Sequence, residues 1–200
     1  MRIINPKILT VIIFGALLLL GVGSYLILNQ DSNKDKVPMN GTNTTSQAAT
    51  AQPEAAPTLA GKSTEEQLRY LIEEEKLAHD VYAVMYQKYG ANVFGNILES
   101  ESTHQGRVLT LLQARNIADP RSSEAGVFNN QDLQTLYDTL IAQGNKNVTE
   151  AYKVGVAIEE KDIADISTQL TTASDQDVIT ALESLRSGSE NHLRAFNRQL

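Results

Sequence analysis

Residues 63–90 read STEEQLRYLIEEEKLAHDVYAVMYQKYG, and both ends of a helix are marked in the letters themselves. Ser63 and Glu66 have the spacing of a capping box, in which hydroxyl and carboxylate satisfy N–H groups that the first helical turn leaves open. Gly90 supplies the stop, because glycine takes the left-handed conformation that closes a helix without steric cost. With about 100° of rotation per residue, Leu68, Leu71, Ile72, Ala78, Tyr82 and Tyr86 share one side. Glu75 falls in the middle of that apolar stripe. Its neighbours Glu73 and Glu74 rotate away and read as solvated charges. His79, one turn on, faces inward and reads as a supporting residue rather than a ligand, and Tyr82 as core packing.

The same grammar continues to the C-terminus. Asn92 is placed to cap a second helix running to about Arg115, and Asp119-Pro120 with Ser122-Ser123 marks an irregular crossing. Asn130 opens a short helix ending before Gly144; Asn147 with Glu150 opens one to about Leu170; Ser174 with Asp177 opens the last. Short links make each long pair an antiparallel hairpin, and the long connection between hairpins lets the chain cross the bundle. The expected fold is all-α, a four-helix bundle with a long crossover containing a short helix.

Ahead of this domain, residues 63–200, two other segments are legible. Residues 8–28 carry no charge and span roughly 30 Å as a helix, the thickness of a bilayer's hydrocarbon core. Arg2 and Lys7 precede them, so the positive-inside bias places the chain beyond Leu28 on the extracytoplasmic side. Residues 1–28 read as a membrane anchor, or as a signal peptide whose removal would secrete the domain. Residues 29–62, rich in Asn, Thr, Ser, Gln, Ala and Pro, read as a disordered linker.

Composition narrows the chemistry. The chain has no Cys, which removes thiolate metal sites, iron–sulfur clusters and thiol nucleophiles. Its net charge is −7, and the basic excess before Ser63 makes the remainder more acidic still, so nucleic acid is not an expected partner. Any metal must be held by oxygen and imidazole nitrogen.

Those ligand types recur on the apolar faces. In the second helix Glu101 and His104 lie in the stripe of Ile97, Val108, Leu111 and Leu112, and spacing of three puts both on one face. In the next long helix, apolar through Val156, Ile163, Ile166 and Leu170, Glu159 is central, Asp162 at the edge and Glu160 outside. In the last, Ser189 and His192 lie among Val178, Leu182, Leu185, Leu193 and Phe196, with Glu190 turned away. Isolated buried carboxylates cost several kcal/mol each, so a bundle gathers them only with a compensating partner. The charges of Glu75, Glu101, Glu159 and Asp162 match a pair of divalent cations, with His104 and His192 as neutral ligands.

Glu75-x-x-Ala78-x-x-x-Tyr82 followed by Glu101-x-x-His104 resembles the first half of rubrerythrin-like members of the ferritin-like superfamily. More closely, Glu73-Glu74-Glu75-Lys76-Leu77-Ala78, Ile158-Glu159-Glu160-Lys161-Asp162-Ile163 and Asn191-His192-Leu193-Arg194-Ala195-Phe196 are similar to a ferritin-like family known only as a domain of unknown function. The resemblance covers residues 63–200. It implies a ferritin-like bundle with a carboxylate-bridged metal pair, usually two iron ions, with Mn or Zn as other divalent occupants. Glu75, Glu101, His104, Glu159 and His192 match the family's ligands. Ser189 departs from it, standing where the second Glu-x-x-His pattern has its glutamate. Either Asp162 restores that carboxylate from the neighbouring helix, or the second metal is weakly held or absent.

Two functions fit this chain. One is an exported, membrane-tethered di-metal oxidoreductase acting in iron oxidation or in O₂ or peroxide reduction. Iron oxidation suits the chain better, since Fe(II) is its own electron donor and no Cys₄ module is present to supply electrons to a peroxidase. The other is a non-catalytic metal-binding or structural envelope module with a degenerate site, which Ser189 favours. A homodimer is compatible with either.

Overall fold

The computed structural model describes Leu59 and residues 61–200. The expected anchor lies outside the described residues, as does most of the linker. Five helices occur in order: α1 (Thr64–Tyr89), α2 (Asn92–Ala114), α3 (Gln131–Gly144), α4 (Val148–Leu170) and α5 (Gln176–Asn197). Among the described residues there is no strand, and no helix is long and apolar enough to cross a membrane. Leu59, inside the stretch read as linker, is buried against the core.

Most helix ends agree with the sequence. The Ser63–Glu66 capping box is complete, and Gly90 closes α1 at φ 64°. Asn130 accepts from the N–H groups of Asp132 and Leu133, and Asn147 from that of Glu150. Two starts differ. Ala91 precedes α2 without a side-chain cap, Asn92 being already helical. Asp175, not Ser174, is the N-cap of α5 and makes no capping bond. Arg115 holds both Asp175 and Asp177, at 3.1 and 2.8 Å, so Asp175 binds the end of α2 instead of capping its own helix, while Asp177 also accepts from the Val178 N–H at 2.9 Å.

The four long helices pack in a ring, α1 on α2, α2 on α5, α5 on α4 and α4 on α1, while α3 lies against α1 and α4. Two apolar cores fill it. One gathers Ala78, Val81, Tyr82, Met85, Phe94, Ile97, Val154, Ile158 and Phe196. The other gathers Leu68, Leu71, Ile72, Val108, Leu112, Ile166, Leu182 and Leu185. On every long helix the buried residues between these two cores are polar, so one polar band crosses the bundle at mid-height.

Some faces lie differently from expectation. Tyr86 is 41% exposed rather than in the stripe. On α4 the buried line runs through Ala151, Val154, Ile158, Glu159, Asp162 and Ile166, so Asp162 is fully inside while Val156 and Ile163 are half-buried. Leu193 of α5 is likewise only half-buried.

The largest correction concerns the acidic run of α1. Glu73 and Glu74 are 4% and 2% exposed, not solvated. Glu73 accepts from the backbone N–H groups of Asn129 and Asn130 at 2.7 and 3.2 Å, pinning the crossover. Lys76 donates to Asp80 at 2.5 Å and to the Glu124 carbonyl at 3.0 Å, and Asp80 accepts from the Gly126 N–H at 2.8 Å. Amphipathic periodicity assigns charges to solvent; here the crossover supplies partners for Glu73, Lys76 and Asp80, and Lys161 of α4 the partner for Glu74.

Phe196 wedges between Tyr82 and Phe94, with ring centroids 5.2 and 5.4 Å away, and lies over Gly155 of α4. A Cβ at Gly155 would sit 2.6 Å from three ring atoms. Helix propensity favours Ala over Gly by about 1 kcal/mol, whereas overpacking a filled core costs roughly 1–3 kcal/mol. Packing wins because the ring is enclosed by two others. Gly155→Ala is therefore expected to lower stability by about 1 kcal/mol or more in urea unfolding; equal or higher stability would show that Phe196 has room to retreat.

Candidate metal centre

The polar band contains Glu75 from α1, Glu101 and His104 from α2, Glu159 and Asp162 from α4, and Ser189 and His192 from α5, all buried. Helical spacing of three sets Glu101 beside His104, Glu159 beside Asp162, and Ser189 beside His192.

Glu101 lies at the centre of the geometry. Its Oε2 is 3.1 Å from His104 Nδ1, which is also 3.1 Å from Glu75 Oε2. Its Oε1 is 2.9 Å from His192 Nδ1, which lies 3.5 Å from Glu159 Oε2. The two imidazoles stack with centroids 5.4 Å apart. Two ligand groups result, Glu75–Glu101–His104 and Glu101–Glu159–His192, each with its donor atoms within 4.8 Å of one another. Glu101 belongs to both. Of the six expected ligands the structure brings five into these groups. Asp162 belongs to neither, although it is 1% exposed.

Many of these atoms lack a hydrogen-bond partner. Glu75 Oε1, Glu101 Oε1, Glu159 Oε2, both Asp162 oxygens and His192 Nδ1 are buried and unpaired. Glu101 Oε1 and His192 Nδ1 are thus close without hydrogen-bond alignment, as two ligands aimed at a common point would be. Each buried unsatisfied group costs about 1–3 kcal/mol, and their sum rivals the roughly 5–15 kcal/mol that holds a typical domain together. Water can donate hydrogen bonds here but brings no countercharge. Divalent cations coordinate the free lone pairs and bring that charge, and the mixed carboxylate–imidazole set suits iron, manganese or zinc.

Residues around the ligands orient them. Tyr82 donates to Glu159 Oε1 at 2.6 Å, leaving Oε2 to face the centre. Ser100 Oγ lies 3.0 Å from His192 Nε2, on the far side of the ring from Glu101. Gly188 makes room for the other histidine, since a Cβ there would lie 2.5 Å from His104 Nε2. Ser189 bonds back to the Leu185 carbonyl at 3.3 Å and offers the centre no carboxylate. His79 pairs with Asp80 at 3.0 Å and stands in neither ligand group. Gly188 had a sequence signal, a helix-interior glycine one turn from an inward histidine; Ser100 and Glu74 had none.

Without cations, protons carry the balance. Burial, reinforced by neighbouring carboxylates, pushes Glu75 and Asp162 well above the usual carboxylate range, and burial lifts Glu159 to about 7. Glu101 goes the other way, since His104 and His192 outweigh its burial. Burial opposes protonation of the imidazoles, but Glu101 with Glu75 raises His104 to about 10, and Glu101 with Glu159 raises His192 to about 9.

These shifts fix the sign of the pH dependence. Between about 4.5, the ordinary glutamate value, and about 7, native Glu159 keeps a proton that the unfolded chain releases, so rising pH destabilises the cation-free protein. The histidines act in the same sense from about 6.5 up to about 9 and 10. Glu101 has the opposite sign, but its window lies below about 4.5. The chelator-treated protein is therefore expected to melt several degrees lower at about pH 8 than at about pH 5.5. Divalent cations displace these protons and reverse the trend. A cation-free melting temperature that rises over this interval would contradict the assignment.

Three comparisons bear on the chain. Residues 64–200 match the model of an uncharacterized protein domain, DUF2202. An uncharacterized protein, MJ0754 of Methanocaldococcus jannaschii, is 43% identical over 141 residues, which cover 68% of this chain and 76% of that protein. The crystal structure of the hypothetical protein MJ0754 from Methanococcus jannaschii DSM 2661 matches with a TM-score of 0.68 and 40% identity, covering 74% of this chain and 85% of that one.

Proposed function

This chain belongs to the DUF2202 family, and from that premise we propose that its helical domain is a ferritin-like metalloprotein holding a pair of divalent cations, iron above all, and oxidising Fe(II) at the expense of O₂ or peroxide. The observation that carries the reading is Glu101, whose two oxygens face two histidines on two different helices at 3.1 and 2.9 Å.

The ligands take distinct parts. Glu101 would be shared by both cations, with Glu75 and His104 holding one and Glu159 and His192 the other. Asp162, buried one turn from Glu159 but in neither ligand group, would lend the centre the negative charge that Ser189 does not supply. Bound iron would supply one-electron donors and Lewis acidity toward O₂ or peroxide. Tyr82 and Ser100 fix the orientation of Glu159 and His192, and such outer partners are typically worth about 10–100-fold in metal affinity. The aromatic group of Tyr82, Phe94 and Phe196 walls one side against water, and Leu68, Leu71, Leu112 and Leu182 the other. In this proposal residues 8–28 tether the domain on the extracytoplasmic side of a membrane.

Ser189 favours a second reading, a binding module with one firm position and no turnover. Exposure of the anaerobically Fe(II)-loaded chain to O₂ separates the two. The oxidase consumes about one O₂ for every two Fe(II), faster than Fe(II) in buffer alone, whereas the module holds Zn(II) tightly and consumes no O₂ above that background.

A further inference from the structure

One set of buried charges lies outside both ligand groups. Along the line where α1 meets α4, Lys161 donates from Nζ to Glu74 Oε1 and Asp165 Oδ2, each at 2.5 Å, and to the Tyr70 hydroxyl at 2.7 Å. The contact with Glu74 fixes α1 and α4 at one level, so the residues next in sequence, Glu75 and Asp162, lie at that level too. Glu74 Oε2 and both oxygens of Asp162 are buried with no partner. The outer members reach solvent, the side chains of Lys161 and Asp165 being 21% and 20% exposed. Carboxylates thus run from the surface inward as Asp165, Glu74 and Asp162, ending beside Glu159. One ammonium stands between two carboxylates and a phenol hydroxyl, caged by oxygens as a bound cation would be.

We propose that this line is the route by which divalent cations reach the centre, with the Lys161 ammonium as the plug that occupies its mouth and swings aside. The proposal rests on the reading of the centre as a cation site. A surface cavity of about 560 Å³ that includes Lys76, Asp80, Asp119 and Arg121 in its lining is a poorer candidate for the route. Its carboxylates are already taken, Asp80 by Lys76 and the Gly126 N–H, and Asp119 by Arg121. Glu74 Oε2 and Asp162 are free to hand a cation inward.

A residue on a route changes rates in both directions and leaves affinity alone, which neither a resident ligand nor a packing residue does. The test is stopped-flow loading of the cation-free, full-length chain with Co(II), monitored by its visible absorption, and release to a chelator. Glu74→Gln is expected to slow loading and release together by about tenfold, the low end of what focused charge contributes to association, with capacity and affinity kept. Asp165→Asn, nearer the surface and safer for folding, is expected to slow both in the same way. Glu183→Gln, an exposed acid on α5, serves as the control and should leave both rates unchanged. Loading at the wild-type rate in both Glu74→Gln and Asp165→Asn overturns the route while leaving the centre intact. No Co(II) binding by the wild-type chain overturns the centre, and the route with it.

Discussion

Glu101→Ala is expected to abolish binding of both cations at once. No other residue belongs to both ligand groups. Without it, Glu75 and His104 remain on one side and Glu159 and His192 on the other, two donors each and no bridge. The loss should far exceed the roughly 10–100-fold caused by removing an outer hydrogen-bond partner, because a direct ligand leaves both positions. Glu101→Gln separates charge from shape, since it fills the same space with one donor oxygen fewer and is expected to lose the pair while keeping the helical circular dichroism. Equilibrium dialysis against Co(II) or Fe(II) under argon reads both variants. Retention of either cation at wild-type affinity in Glu101→Ala would remove Glu101 from the bridging role.

Gly188→Ala is expected to cost one cation and spare the other. The new methyl would lie 2.5 Å from His104 Nε2 and 2.7 Å from Cε1, on the side of the ring away from Glu75 and Glu101. The ring must move, and its Nδ1 leaves the point it shares with those carboxylates. Alanine is the better helix former by about 1 kcal/mol, so α5 should fold at least as well. Binding at the Glu75–His104 position should weaken by about tenfold or more, comparable to the loss of an orienting partner. The Glu159–His192 position keeps all its ligands. A dialysis count falling from two cations per chain to one is the expected result; two at unchanged affinity would mean that His104 tolerates the displacement.

The helical order was legible because capping chemistry is local. Ser63, Gly90, Asn130 and Asn147 announce helix ends through bonds to backbone groups no more than a turn away. The start of α5 differs for the complementary reason: Asp175, beside Ser174, is recruited by Arg115, 60 residues distant in sequence, and nothing local records that. Glu75, Glu101, His104, Glu159 and His192 stood out because each is an ionisable side chain on an apolar face. That signal fails where the partner is a loop or a distant cation. Glu73 and Glu74 lie off the stripe, yet both are buried, one under the crossover and the other against Lys161. Asp162 was placed at the edge because Val156 and Ile163 pulled the inferred centre of the stripe toward them. Both are only half-buried, and the true buried line passes through Asp162 itself.

If the buried carboxylates and histidines at mid-bundle hold a pair of cations, that pair can be counted. Anaerobic titration of the chelator-treated, full-length chain with Fe(II), counting bound iron per chain against Glu101→Ala under the same conditions, tests that reading most directly. Two Fe(II) per wild-type chain are expected, none in the variant, and a higher melting temperature for the loaded wild type alone. No bound iron in the wild-type chain, with its melting temperature unmoved, would contradict it and leave the orphaned oxygens of the polar band to be balanced by protons alone.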